Sequence, residues 1–152
     1  MFTCTLVTRN HSAAYNHANQ WRIASSLSEC AGQKYASEQE SLDQLIEHAG
    51  SVLTQHCKVA VFTLGSRGAV AVSSGLTARC HASKVQVADT VGAGDAFCGA
   101  FLAAYMRGAQ LQVCVEMGCA AGAEAVQCHG ARLPGTSIQS LRGKLDVLTG
   151  DL

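Results

Sequence analysis

Gly92-Ala93-Gly94-Asp95 combines a glycine-rich turn with an acidic side chain, a set of residues suited to chemistry on a phosphorylated ligand. Glycines let backbone approach a ligand closely, and a helix start presents amides that lack internal acceptors and favour negative charge. A carboxylate beside such an anion cradle is placed to take a proton from a hydroxyl group. The flanking residues offer the elements that would hold the turn. Val85-Gln86-Val87-Ala88 reads as a β-like run leading in, and Ala96 to Arg107 reads as a helix leading out. Gly92-x-Gly94 approaches a dinucleotide fingerprint, but Phe97 occupies the place of its third glycine and no acidic ribose partner follows at the expected spacing. That disfavours a dinucleotide-dependent oxidoreductase.

A second glycine turn lies upstream. Val59-Ala60-Val61-Phe62-Thr63-Leu64 reads as a buried strand that runs into Gly65-Ser66-Arg67-Gly68, and Ala69-Val70-Ala71-Val72 follows as another strand-like run. A Gly-x-x-Gly turn taken alone is more often only a turn. Its position ahead of the first motif gives it added meaning.

The segment from Asp89 through Thr90, Val91, Gly92, Ala93, Gly94, Asp95 and Ala96 to Phe97 resembles the C-terminal signature of the PfkB (ribokinase-like) family of carbohydrate and nucleoside kinases. The resemblance implies that the Gly92, Ala93 and Gly94 amides form an anion hole for the transferring phosphoryl group and that Asp95 is the catalytic base. Thr63-Leu64-Gly65-Ser66-Arg67-Gly68 resembles the nucleotide-side loop of the same family. ATP-binding positions by this likeness are Thr63, Gly65, Ser66, Gly68, Thr90 and Gly130, with ATP and Mg2+ as the implied cofactors and a small nucleoside or sugar as acceptor. The implied fold is α/β, a ribokinase-like three-layer α/β/α sandwich that is incomplete, with the C-terminal part of the sheet and no lid.

Within the family, Cys114 to Ala121 and Gly130-Ala131-Arg132-Leu133-Pro134 look more like the adenosine kinases, which phosphorylate a nucleoside 5'-hydroxyl to form AMP in purine salvage. Thr63 to Gly68 is equally what ribokinases carry, so a ribokinase- or fructokinase-type sugar kinase remains an alternative, as does a non-catalytic nucleotide-binding fragment. The likeness is specific from about Val59 to Pro134. Residues 1–152 therefore read as the C-terminal portion of a single PfkB-type domain, without the N-terminal acceptor and lid portion. Little turnover by this chain alone is the corresponding expectation, together with self-association through uncovered sheet edges. The family's Asn-x-x-Glu element finds only Asn10-His11-Ser12-Ala13 as a loose counterpart, which lacks the glutamate.

Composition narrows the class. The 152 residues are 48% hydrophobic and 14% charged, enough to build a core, and the net charge of +0 without a basic block argues against a nucleic-acid partner. No apolar stretch is long enough to cross a membrane and no convincing signal peptide opens the chain, so the expected location is the cytoplasm. The eight cysteines are scattered with no Cys-x-x-Cys pair, and the six histidines stand apart. Structural thiols are expected, and no metal ligand set.

The remaining elements must position these turns. Ser37-Glu38-Gln39-Glu40 has capping-box form, and Leu42, Leu45, Ile46, Ala49, Val52 and Leu53 recur at helical spacing, which predicts an amphipathic helix from about Glu38 to Thr54. A shorter helix is possible after Ser26. Another helix is expected from about Leu111 to Cys128, with Gly118, Ala121, Gly122 and Ala125 forming a small-residue face for close approach, and a last one from Ile138 to Leu148. Trp21 reads as an anchor rather than a stacking platform. Helices alternating with strands predict a mostly parallel sheet with ligands at strand ends.

Overall fold

The computed structural model describes residues 3–7, 40–55 and 57–150. Among these, β1 (Thr3–Val7) is followed by α1 (Glu40–Leu53), β2 (Val59–Thr63), a 3-10 turn (Gly65–Arg67), β3 (Ala69–Ser73), β4 (Leu76–Cys80), α2 (Ala93–Met106), α3 (Leu111–Ala125) and α4 (Gly135–Thr149). The Asn10 counterpart, Trp21, the Ser26 segment and Ser37 lie outside the described residues. Two compact units emerge. One contains β1, α1, β2 and residues 70–77, and the other contains residues 66–69 and 78–150.

In the first unit, the helical spacing read from the sequence is realised, with Glu40 as the first described helical residue. Leu42, Ile46 and Ala49 share one face of α1 and are buried with Ala60, Phe62, Leu64 and Val70 in one apolar cluster. Helix and strand meet closely at Gly50, where a Cβ would lie 2.9 Å from a Val72 methyl. Val59 to Phe62 are all buried, as befits an interior strand apolar on both faces. The Cys57 thiol is buried and donates to the Val59 carbonyl at 3.4 Å, and burial raises its pKa. It is packing material, as expected.

The sheet order is β1-β2-β3-β4. β1 and β2 are antiparallel, pairing Thr3 with Thr63 and Val7 with Val59. The links Leu64–Gly68 and Ser74–Gly75 are too short for a crossover, so β2, β3 and β4 form hairpins. This corrects the expectation of a mostly parallel sheet for the described residues. The continuous apolar run of β2 reflects an interior strand rather than a βαβ crossover. β4 is mostly exposed and carries no apolar run to mark it as a strand.

In the second unit, Phe97, Phe101 and Ala104 of α2 are buried, as are Cys114, Val115, Met117, Gly118, Ala121 and Ala125 of α3. The rings of Phe97, Phe101 and Tyr105 stack successively along α2, with centroids 6.1 and 6.2 Å apart. The small-residue face of α3 serves close packing, as its composition suggested. A Cβ on Gly118 would stand 2.6 Å from the Phe97 ring. Helix α4 joins through the Arg107–Asp146 ion pair at 2.6 Å and through Ser137, whose hydroxyl bonds Glu124 at 3.0 Å. Between α2, α3 and α4 runs an apolar groove of about 580 Å³, lined on α2 by Ala96, Gly99, Ala100 and Ala103.

Two local expectations change. Val85–Ala88 form no strand: Val87 is 58% exposed, and the Ala88 and Asp89 amides both donate to the Val126 carbonyl, at 2.7 and 3.2 Å, instead of to a strand neighbour. Helix α2 begins at Ala93 rather than Ala96, so Ala93, Gly94 and Asp95 form its first turn.

The α2–α3 contact can be tested directly. Gly118→Ala should cost about 1–3 kcal/mol, the usual penalty of overpacking a filled interior, read as a lowered urea midpoint. Gly143→Ala, with nothing near the added methyl, should leave the midpoint unchanged or raise it, since alanine favours helix. Equal midpoints for wild type and Gly118→Ala would refute the contact.

Candidate active site

The start of α2 is bare. Gly92 is its N-cap residue, in the left-handed region at φ 81°, and no side chain caps the helix. Of the first-turn amides, Ala93 N–H reaches the Thr90 carbonyl at 3.4 Å, while those of Gly94 and Asp95 find no acceptor among the described residues. Two donors at the positive end of a helix are therefore available to an anion. Asp95 occupies the third helical position and is exposed. Gly92 has no substitute here: besides its φ, a Cβ would fall 2.7 Å from the Cα of Ala131.

A residue given no role by the sequence organises this end of the unit. The Asp89 carboxylate accepts from the Val91 amide through Oδ1 at 3.0 Å and from the Gly130 amide through Oδ2 at 2.9 Å. These two amides, chiefly that of Val91, hold its pKa below the usual aspartate value, aided by Thr90 N–H and the charge of His129. With the two amides that converge on the Val126 carbonyl, the clasp ties residues 88–91 to the end of α3 and the following turn. The detectable signal was an aspartate two residues before Val91, the Asx-turn spacing, obscured by reading the preceding residues as a strand.

Thr90, Gly92, Ala93, Gly94, Asp95 and Gly130 are thus brought together at one end of the second unit. Ser66 and Gly68 belong to the same unit. Gly68, at φ 95°, packs so tightly that a Cβ would overlap the Cys80 carbonyl oxygen. Thr63 closes β2 and Gly65 opens the 3-10 turn, both in the first unit. No cluster of three or more His, Cys, Asp or Glu side chains capable of holding a metal occurs among the described residues. Nor is any described helix long and apolar enough to cross a membrane.

The family model described as pfkB family carbohydrate kinase matches residues 24–138. The chain belongs to the pfkB family. Among curated relatives, this pfkB-family chain is 36% identical over 86 residues to an adenosine kinase of Dictyostelium discoideum, covering 55% of the chain and 25% of that protein. It is 30% identical over 97 residues to a fructoselysine 6-kinase of Escherichia coli, covering 64% and 37%. Its fold is ribokinase-like. Phosphofructokinase-2 of Escherichia coli superposes with a TM-score of 0.65 at 26% identity over 79% of the chain and 38% of that structure. The adenosine kinase of Sinorhizobium meliloti gives 0.59 at 32% identity over 64% and 30%. The pfkB-family chain spans about a quarter to two-fifths of the length of these relatives.

Because hydrogen bonds depress the Asp89 pKa in the folded chain, the stability it contributes is present above the ordinary aspartate value of about 3.9 and is lost as pH falls through the lower folded value. The Gly130 and Val91 amide NMR shifts should accordingly titrate below that ordinary value. Asp89→Asn should abolish the titration and loosen the 129–131 turn. A midpoint at the ordinary value, or a Gly130 shift indifferent to Asp89→Asn, would count against the clasp.

Proposed function

We propose that residues 1–152 form the nucleotide-side, C-terminal portion of one kinase domain. The reaction is transfer of the ATP γ-phosphate to a nucleoside 5'-hydroxyl, adenosine by preference. The observation that carries this reading is the uncapped start of α2, with two acceptor-free amides next to the Asp95 carboxylate. The anion hole is assigned to the turn of Gly92, Ala93 and Gly94, and nucleotide contacts to Thr63, Gly65, Ser66, Gly68, Thr90 and Gly130.

Asp95 takes the proton from the acceptor hydroxyl as its oxygen bonds to the γ-phosphorus and the bond to ADP breaks. The Gly94 and Asp95 amides and the helix dipole offset charge on the equatorial phosphoryl oxygens, a fixed electrostatic arrangement needing no reorganisation. Magnesium, when bound, supplies further charge neutralisation. Asp89 acts one step back, fixing the Thr90 and Gly130 backbone around the anion site.

A sugar acceptor is the second reading, supported by the likeness to fructoselysine 6-kinase and phosphofructokinase. Phosphate transfer from ATP should be measured side by side with adenosine, ribose, fructose 6-phosphate and fructoselysine. In the active protein, Asp95→Asn should lower kcat about 10²- to 10⁴-fold, the usual effect of removing a positioned base, with ATP affinity nearly unchanged. The 152-residue chain alone should bind ATP, shifting the amide signals of residues 92–95, with little turnover. Undiminished kcat in Asp95→Asn removes the base assignment. ATP binding without transfer to any acceptor leaves a non-catalytic nucleotide binder, and absence of binding removes the nucleotide site.

A further inference from the structure

The end of β4 and the middle of α3 carry two thiols that the kinase reading does not use. Cys80 closes β4, and Cys119 projects from α3 so that its Sγ lies 3.8 Å from the Cys80 carbonyl oxygen. The Cys80 thiol itself donates to the His81 carbonyl at 3.3 Å, and the two thiols are electrostatic neighbours. Both are free and half-buried. The backbone is already held for a crosslink: Gln112 on α3 donates to the Arg79 carbonyl at 3.0 Å, docking the end of β4 on the helix one residue before Cys80. Two other cysteines are less accessible. Cys57 and Cys114 are buried.

We propose that Cys80 and Cys119 form a redox-active pair that closes to an intramolecular disulfide under a disulfide oxidant such as oxidised glutathione, stapling β4 to α3. Thiolate, not thiol, attacks a disulfide. Burial, then the neighbouring Cys80 and Glu116, push the Cys119 thiol well above its ordinary pKa, so Cys80 is the first attacker and Cys119 the resolving thiol. Cys80 sulfur, having lost its proton to solvent, bonds to one sulfur of oxidised glutathione and expels one glutathione thiolate. Cys119 then loses its proton, bonds to the Cys80 sulfur and expels the second. Two protein thiols are oxidised to one disulfide while one glutathione disulfide is reduced to two glutathiones.

The staple would act on the 66–69 turn. A Cβ on Gly68 would overlap the Cys80 carbonyl oxygen and lie 2.8 Å from His81 Cα and Ala82 N, so the turn rests directly on the backbone that the disulfide would immobilise.

The chain should be equilibrated with glutathione buffers of increasing oxidising strength, alkylated, digested and mapped by mass spectrometry. The Cys80–Cys119 linked peptide should be the first disulfide to appear. Cys119→Ser should arrest the reaction at a Cys80–glutathione mixed disulfide, and Cys80→Ser should leave Cys119 unreacted. Should Cys119→Ser fail to fold, Cys80→Ser and the wild-type map suffice. Hydrogen exchange of residues 66–69 and 78–82 should slow several-fold in the oxidised chain and recover on reduction. A different pairing formed first, a Cys80–glutathione adduct that persists in wild type, or exchange unchanged by oxidation would overturn the proposal. None of these readouts requires nucleotide or turnover, so their failure is separable from failure of the kinase reading.

Discussion

The contact between the Phe97 ring and Gly118 sets how closely α2 and α3 approach, and the rest of the second unit is arranged around it. No side chain larger than hydrogen fits at Gly118 without moving a buried aromatic ring. One turn further along α3, a Cβ on Gly122 would lie 3.5 Å from the Ala93 carbonyl, so the same glycine-lined face lies against the first turn of α2. The bare amides of Gly94 and Asp95 are thus fixed by apolar packing beneath them. Electrostatic arrangement at the surface follows from van der Waals fit below.

Asp89 adds the second constraint. Its carboxylate accepts two backbone amides on separate turns, and the Val126 carbonyl accepts two more, so four main-chain donors that would otherwise need water are satisfied within the protein. The signature segment therefore has two carboxylates with different work. Asp89 faces inward to backbone and shapes the loop, whereas Asp95 is left exposed at the helix start.

Much of this was legible in the residues. Leu42, Ile46 and Ala49 gave α1 through their period, and Val59 to Phe62 gave β2 through continuous apolarity, because burial acts on side chains one at a time and leaves its period in the sequence. Gly118 and Gly122 announced a close helix approach. The direction of the sheet was not legible, since an interior antiparallel strand and a parallel one look alike when both faces are apolar. Val85–Ala88 have strand-like residues but find their acceptor in the Val126 carbonyl, a long-range partner that local propensity cannot register. The start of α2 was placed late because Gly92-Ala93-Gly94 contains two poor helix formers, and tertiary packing overrides that preference. The role of Asp89 depended on Gly130, far along the chain, and only folding brings them together.

The glycines of α2 carry a further consequence. Gly94 and Gly99 each disfavour helix by about 1 kcal/mol relative to alanine, and a helix of 14 residues is marginal on its own in water. Helix α2 is therefore sustained by its neighbour. The short link between α2 and α3 makes them a local helical hairpin, a topology that assembles rapidly, and the two acceptor-free amides exist as a pair only once that hairpin has docked. An anion bound there, as proposed, would select the docked form over the frayed one. Ligand occupancy and hairpin closure would then be a single thermodynamic linkage, with the packing of an aromatic ring on a glycine felt as affinity at the helix end.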